Sequence, residues 1–351
     1  MRSWSSSSLR FSSKRGQRPD MRENGNRLNR LLEQYLFLLT PVSLILGFLL
    51  SGQMHTWVDA IPWLFAYLTF VMASGCSLKQ IRDALRMPGA MLLTFGLTHV
   101  LAPVIAYGIG SWIFGAESPY VIGFVLFAVI PLGVSSVIWV SLSQGHVPFT
   151  LAMIVIDTAL SPFVIPLALE TLFGASVELD HAGMLADLLK IVVAPTLIGV
   201  AVNELSRGRF KAWSAPVCGP TSKVALCTVI MINAAAIAPY VVELKRDMVV
   251  VVPLVVLLVI LCYLIGFAGS VWLRRPELMI AITFSSGMRN ISLGLVLALT
   301  YFNPLTAVPV VLAILIQQPF ATLNHTFMKA FMRTNLYKKI TGIPPGEQVR
   351  Y

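Results

Sequence analysis

With 351 residues, 56% hydrophobic and 12% charged, and a mean hydropathy of +0.78, the chain carries about half the charge fraction of a soluble domain. That excludes an ordinary water-soluble fold, and the apolar runs are too long and too continuous for barrel strands of about ten alternating residues. The net charge of +10 would suit nucleic acid, but the basic residues sit in the tails and in short links between apolar runs, the positive-inside pattern of a membrane protein; no nucleic-acid partner is expected.

In chain order, residues 1–33 are rich in Ser and Arg and hold no apolar core of a secretory signal. They read as a disordered cytosolic tail, with Met21 an alternative start to Met1; composition alone also tolerates an organelle transit peptide. Ten apolar runs follow, each near the ~20 residues that carry a helix across about 30 Å of hydrocarbon. The first two cover 34–51 and 56–75, and the basic link "LKQIRDALRMP" leads to 89–113. The fourth, 119–143, and the fifth, 148–172, are joined by "SQGHVP". Next comes "GASVELDHAG", acidic and therefore read as external.

The sixth run, 182–203, ends in the basic, internal "NELSRGRFKAWSAPVCGPTSK". Runs at 222–241 and 248–272 flank "ELKRD", where Glu243 and Asp247 offset Lys245 and Arg246. Arg274 and Arg275 precede 277–301, and 305–324 exits into a basic tail, 325–351. Placing both tails in the cytosol puts nearly every basic link there too. The expectation is a multi-pass protein of the cell membrane with both termini cytoplasmic.

Five spans in 34–173 and five in 182–324 would have opposite orientations, because five is odd. Both halves contain a span interrupted by small polar residues just before the last: "FVLFAVIPLGVSSVIWVSL" and "MIAITFSSGMRNISLGLVLAL". Such paired interruptions point to an inverted-repeat transporter site near mid-membrane. Pro131 removes a backbone donor and Gly133 loosens the helix, so unwinding is expected near Leu132 to Ser136. The fold class predicted is all-α and polytopic: ten transmembrane helices in two inverted five-helix repeats, with crossing, discontinuous fourth and ninth helices.

Arg289 is the sharpest signal. A charge at mid-bilayer costs roughly 2.5–3.5 kcal/mol on insertion scales unless paired or hydrated, so it marks a functional site by default. Asp157, the other deep charge, is its expected partner, as a counter-ion, a proton carrier or both. Ser135, Ser136, Ser285, Ser286 and Asn290 supply neutral polar groups at the two breaks, although single serines in such helices often only bond the preceding turn. His99 is deep enough to matter and of a type that titrates near neutral pH. His55, His146, His181 and His325 fall at span ends and read as solvated. Most of the seven tryptophans lie near span ends, as interfacial anchors do, and the four cysteines read as apolar fillers.

At these residues the chain resembles the bile acid:sodium symporter family, over about residues 35–330. The resemblance is most specific in "GCSLKQIRDALRMPGAMLLTFGLTHVLAPV", "IPLGVSSVIWVSLSQGHVPFTLAMIVIDTALSPFVIPLAL" and "SSGMRNISLGLVLALTYF". It implies ten spans in two inverted repeats, split into a core and a panel formed by the first, second, sixth and seventh. Carried over by position, the family's ion-bridging glutamate falls on Ser285 and its motif glutamine on Arg289, while Asn290 is retained. The fourth-span Ser-Asn pair becomes Ser136 and Val137. On the fifth span Thr150 is kept and the second hydroxyl becomes Ile154. The third-span glutamine position falls on Thr98.

Sodium needs several oxygens and a nearby negative charge, so these substitutions imply degraded sodium sites near Ser136, Thr150 and Ser285. The expectation is a secondary transporter of a small organic anion, with Na+ or H+ as the coupling ion and no cofactor. The sequence holds no His-Glu-x-x-His, Gly-x-Ser-x-Gly, metal cluster or phosphate loop that would suggest an enzyme or a self-powered pump. A channel, a sodium-coupled symporter with an altered ion site, and a sensor on the same fold are the competing readings.

Overall fold

Several apolar runs in this chain become helices that begin at a proline, as at Pro88, Pro119 and Pro276, where the missing N–H costs nothing. The computed structural model describes residues 21–174, 180–243, 247–335, 337, 339 and 342. Among these residues the secondary structure is helical apart from one isolated antiparallel bridge, Leu132 with Arg289.

Helix α1 (Met21–Gln34) is polar and is followed by α2 (Leu36–Leu49). The part of the basic tail from Met21 onward, expected to lack structure, is therefore helical. α3 (Ile61–Ala73) and the short basic α4 (Leu78–Leu85) come next. α4 starts at a capping box, in which Gln80 N–H donates to Ser77 Oγ at 3.2 Å and Ser77 N–H to Gln80 Oε1 at 2.9 Å. α5 (Pro88–Phe114) runs through a π-helical turn at Gly96–Leu101.

The predicted fourth span is two helices, α6 (Pro119–Val129) and α7 (Ser136–Leu142). α8 (Val147–Phe173) is capped by His146, whose Nδ1 accepts the Phe149 N–H at 3.0 Å; this histidine is thus a helix cap. α9 (Ala182–Leu205), α10 (Arg209–Glu243) and α11 (Met248–Ser270) follow. The predicted ninth span is again split, into α12 (Pro276–Gly287) and α13 (Ile291–Tyr301), before α14 (Ala307–Phe331) closes the chain past its expected end at 324. Parts of "GASVELDHAG" and "ELKRD", Trp4, and the side chains of His55 and His181 lie outside what is described.

Among the described residues, seven helices are long and apolar enough to cross a membrane, or eight when the pair Glu23–Gln34 and Leu38–Leu49, bent by 77°, is counted as one. Ten single crossings are not present as continuous helices, because the fourth and ninth runs are each cut into pieces too short to span alone. α2, α3, α9 and α10 pack on one another, while α5, α6, α8, α11, α12 and α14 form the rest of the bundle. The outward surface is apolar: Trp112 and Leu205 are each 87% exposed, and Trp63 and Trp272 are also largely exposed. A water-soluble monomer would not leave so much large apolar surface bare. This is an all-α polytopic membrane protein.

Candidate functional site at the crossing of two broken helices

The first break, 130–135, overlaps the stretch expected to unwind. Pro131 contributes no donor, and the donors on either side of it are taken up from outside the helix. Leu132 N–H donates to Asp157 Oδ2 at 2.7 Å, and Gly133 N–H to the Met288 carbonyl at 2.8 Å. The second break reciprocates, with Asn290 N–H donating to the Pro131 carbonyl at 2.8 Å. Each interruption thus satisfies the other's backbone, which hydrocarbon could not do. Gly133 is required by this approach, since a Cβ there would stand 2.8 Å from the Arg289 carbonyl oxygen.

Arg289 sits in the second break and is 2% exposed. Its Nη2 donates to the Thr98 carbonyl at 3.1 Å. That carbonyl is free for a local reason. In the π turn Ala102 N–H bonds to Leu97 O, and the next residue, Pro103, has no N–H to offer. Cys262 of α11 lies beside the guanidinium. Nε and Nη1 are buried with no hydrogen-bond partner among the described residues, so the cation is only partly solvated by protein.

The expected ion pair between Arg289 and Asp157 is not formed among the described residues. Asp157, 1% exposed, has its two oxygens engaged elsewhere: Oδ2 holds Leu132 N–H, and Oδ1 lies 2.6 Å from His99 Nε2. Asp157 is oriented by the Leu132 N–H and the His99 ring, and the guanidinium by the Thr98 carbonyl, so the two charges are held apart. The deep histidine and aspartate are therefore one buried pair, joined through Leu132 to the crossing.

Two glutamines on α14 were missed by sequence reasoning. Gln317 clamps the peptide of Arg289 from both sides: its Oε1 accepts Arg289 N–H at 2.8 Å, and its Nε2 donates to the Arg289 carbonyl at 3.2 Å. Gln318 ties the other break, donating to Ser135 Oγ at 3.3 Å and accepting from Trp139 Nε1 at 3.1 Å. Trp139 is consequently part of the interior framework, in contrast to the interfacial role expected of most tryptophans. His325, expected to be solvated, lies half-buried with Nδ1 at 2.6 Å from Ser143 Oγ. The one available signal for the glutamines was two adjacent amides inside an apolar helix.

A cavity of about 380 Å³ opens against the crossing. Of the predicted residues, Ser135, Arg289 and Asn290 line it, together with Gly133, Gln317 and Gln318. Thr98, His99, Ser136, Thr150, Asp157, Ser285 and Ser286 are not part of the lining. The hydroxyls of Ser136, Ser285 and Ser286 are buried without partners among the described residues, whereas Thr150 Oγ1 donates to the His146 carbonyl at 3.2 Å. No cluster of three or more His, Cys, Asp or Glu that could hold a metal is found among the described residues. Position 285 carries a neutral hydroxyl and position 289 a guanidinium.

A bundle of long apolar helices, holding a cavity against two broken helices crossed at their breaks, defines a polytopic membrane protein of the secondary-transporter class. The chain belongs to the sodium bile acid symporter family, whose family model matches residues 62–244. It is 38% identical over 295 residues to a Bacillus subtilis (strain 168) protein, "Uncharacterized protein YbaS", covering 84% of this chain and 96% of that one. It is 30% identical over 249 residues to the "Probable sodium/metabolite cotransporter BASS1, chloroplastic" of Oryza sativa subsp. japonica, covering 68% of this chain and 58% of that one. A second Bacillus subtilis relative, "Uncharacterized sodium-dependent transporter YocS", is 24% identical over 269 residues, covering 76% and 81%.

Proposed function

We propose that this protein is a secondary active transporter of a small organic anion, working by alternating access without sodium. Its ten crossings form two inverted five-helix repeats, and both termini face the cytoplasm. The reciprocal bonds between the two breaks support that symmetry. α2, α3, α9 and α10 act as the panel that rocks against the remaining helices.

The observation that carries the reading is the burial of Arg289, with its guanidinium on the Thr98 carbonyl. A fixed cation at the crossing supplies the positive charge that a bound alkali ion supplies in sodium-coupled relatives. It also repels sodium from the same place. An uncompensated charge in this low-dielectric setting is costly, so an anion entering the cavity gains from it. The coupling ion is then a proton, carried by the His99–Asp157 pair. Protonation turns the bond from Leu132 N–H to Asp157 from charge-assisted to neutral, roughly halving its strength, and so loosens the first break.

Reconstituted into proteoliposomes, the protein is expected to take up organic acids at a rate indifferent to an imposed sodium gradient. Arg289→Gln should abolish uptake with normal membrane insertion, and Asp157→Asn should flatten the pH profile. The competing reading, a sodium symporter with an altered site, draws on the unpartnered hydroxyls of Ser136, Ser285 and Ser286. Uptake that climbs steeply with the sodium gradient would select it. Unitary conductance steps in planar bilayers would instead mark a channel.

A further inference from the structure

The charged groups lining the cavity are Lys211, Lys223 and Arg289 against a single carboxylate, Glu33. Arg289 stands at the crossing; Lys223 and Glu33 stand where α1 lies along α10, and Lys211 lies twelve residues earlier on α10, about 18 Å along the helix, beside Gly75. Lys223 is the unusual one. Its side chain is 18% exposed, yet its one hydrogen bond among the described residues goes to a neutral acceptor, Asn29 Oδ1, at 2.8 Å. Glu33 Oε1 is 4.0 Å from Nζ, too far for a hydrogen bond, and its side chain is 39% exposed. An ammonium has three donors, so this one is largely buried and incompletely satisfied. Lys211, exposed further along the same helix, adds another positive charge to the lining.

Sequence explains how α1 reaches Lys223. Gly219, one turn before it on α10, leaves room for the Asn29 amide: a Cβ there would lie 2.6 Å from Asn29 Oδ1. Any larger residue would push Asn29 aside. The contact is thus built into both helices.

We infer that Lys223 is the receiving residue for the anionic group of the transported molecule, and that Asn29 and Glu33 of the N-terminal helix occupy it until that molecule arrives. The inference rests on the organic-anion reading above and adds a specificity-determining residue and a latch to it. A carboxylate or sulfonate at hydrogen-bonding distance replaces a neutral acceptor and a distant, solvated carboxylate, which is a net electrostatic gain. The ligand class that fits is an anion with a small apolar body. The anionic group meets Lys223 first, and Phe65, Leu68, Leu226, Ile230 and Ile314 line the apolar path from there to Arg289 at the crossing.

Benzenesulfonate tests this, because its charge does not change with pH. Its affinity for the full-length protein in nanodiscs is measured by calorimetry. Lys223→Gln is expected to weaken binding at least about ten-fold, as loss of a charge-assisted bond does. Glu33→Gln, which removes the internal competitor, is expected to tighten it by up to about five-fold. Gly219→Ala, which displaces Asn29, should act in the same direction as Glu33→Gln, and Lys190→Gln, on the exposed surface of α9, should match wild type. Equal affinity in wild type and Lys223→Gln, or weaker binding in Glu33→Gln, overturns the inference. So does absence of binding in every variant. Proteoliposome uptake of organic acids is independent of these outcomes, so a failed latch and a failed transport reading are told apart.

Discussion

Arg289 was legible from sequence because a permanent cation in a long apolar run has so few explanations. Its surroundings were not. Asp157 looked like the counter-charge because it is the other deep ionised residue, but the backbone donor of Leu132 and the ring of His99 compete for its oxygens and win. The partner that matters most to the Arg289 peptide is Gln317, whose amide pattern cannot be matched to a specific backbone from spacing alone. Leucine at 317 would leave the buried Arg289 N–H without a partner, at a cost of about 1–3 kcal/mol, while the Arg289 carbonyl would keep only the Ile291 N–H at 3.0 Å. Gln317→Leu is therefore expected to lower the melting temperature and abolish uptake. Gln317→Glu, which keeps the acceptor and loses the donor, should fall between. Melting that matches wild type in Gln317→Leu would show that the clamp holds nothing.

Elements divide the same way. The two breaks could be read from Pro131, Gly133 and the cluster around Arg289, since missing donors and small residues dictate where a helix must stop. That each break completes the other is a long-range fact with no local signature. The helical start at Met21 was also missed, because a polar, basic stretch resembles a disordered tail until another helix is there to receive it; here α10 receives it. Gly133→Ala tests the crossing directly. The added methyl would meet the Arg289 carbonyl at 2.8 Å, forcing the two breaks apart. The expected result is correct insertion, a lower melting temperature and at least a ten-fold loss of uptake. Unchanged uptake would mean that the close approach is incidental.

For the whole molecule, hydropathy sufficed to identify a polytopic helical protein, because bilayer thickness fixes run length. How its two groups of helices meet did not follow from hydropathy. α3 belongs to the group with α2, α9 and α10, while α4 packs on α8, so the corner between α3 and α4 joins the two. Cys76 lies in that corner, fully buried, with its carbonyl accepting from Asn203 Nδ2 at 3.0 Å. Burial pushes its thiol up to about 11, against a smaller downward pull from Lys211. Thiolate is then about one part in a thousand at pH 8. In a chain carrying Ser at 218, 227 and 262, maleimide should label Cys76 slowly at pH 8 and about ten times faster per unit of rising pH. Fast labelling at pH 8 would show that the corner opens at rest.

The mutual bonding of the two breaks also bears on biogenesis. When Gly133 leaves the ribosome its acceptor at Met288 has not yet been translated, and a growing chain emerges at only about 5–20 residues per second. For that interval the first interruption has unmet amide groups that lipid cannot shelter. The first half therefore lacks its native backbone partners until the second half is inserted, and either half expressed alone is expected not to reach its native arrangement.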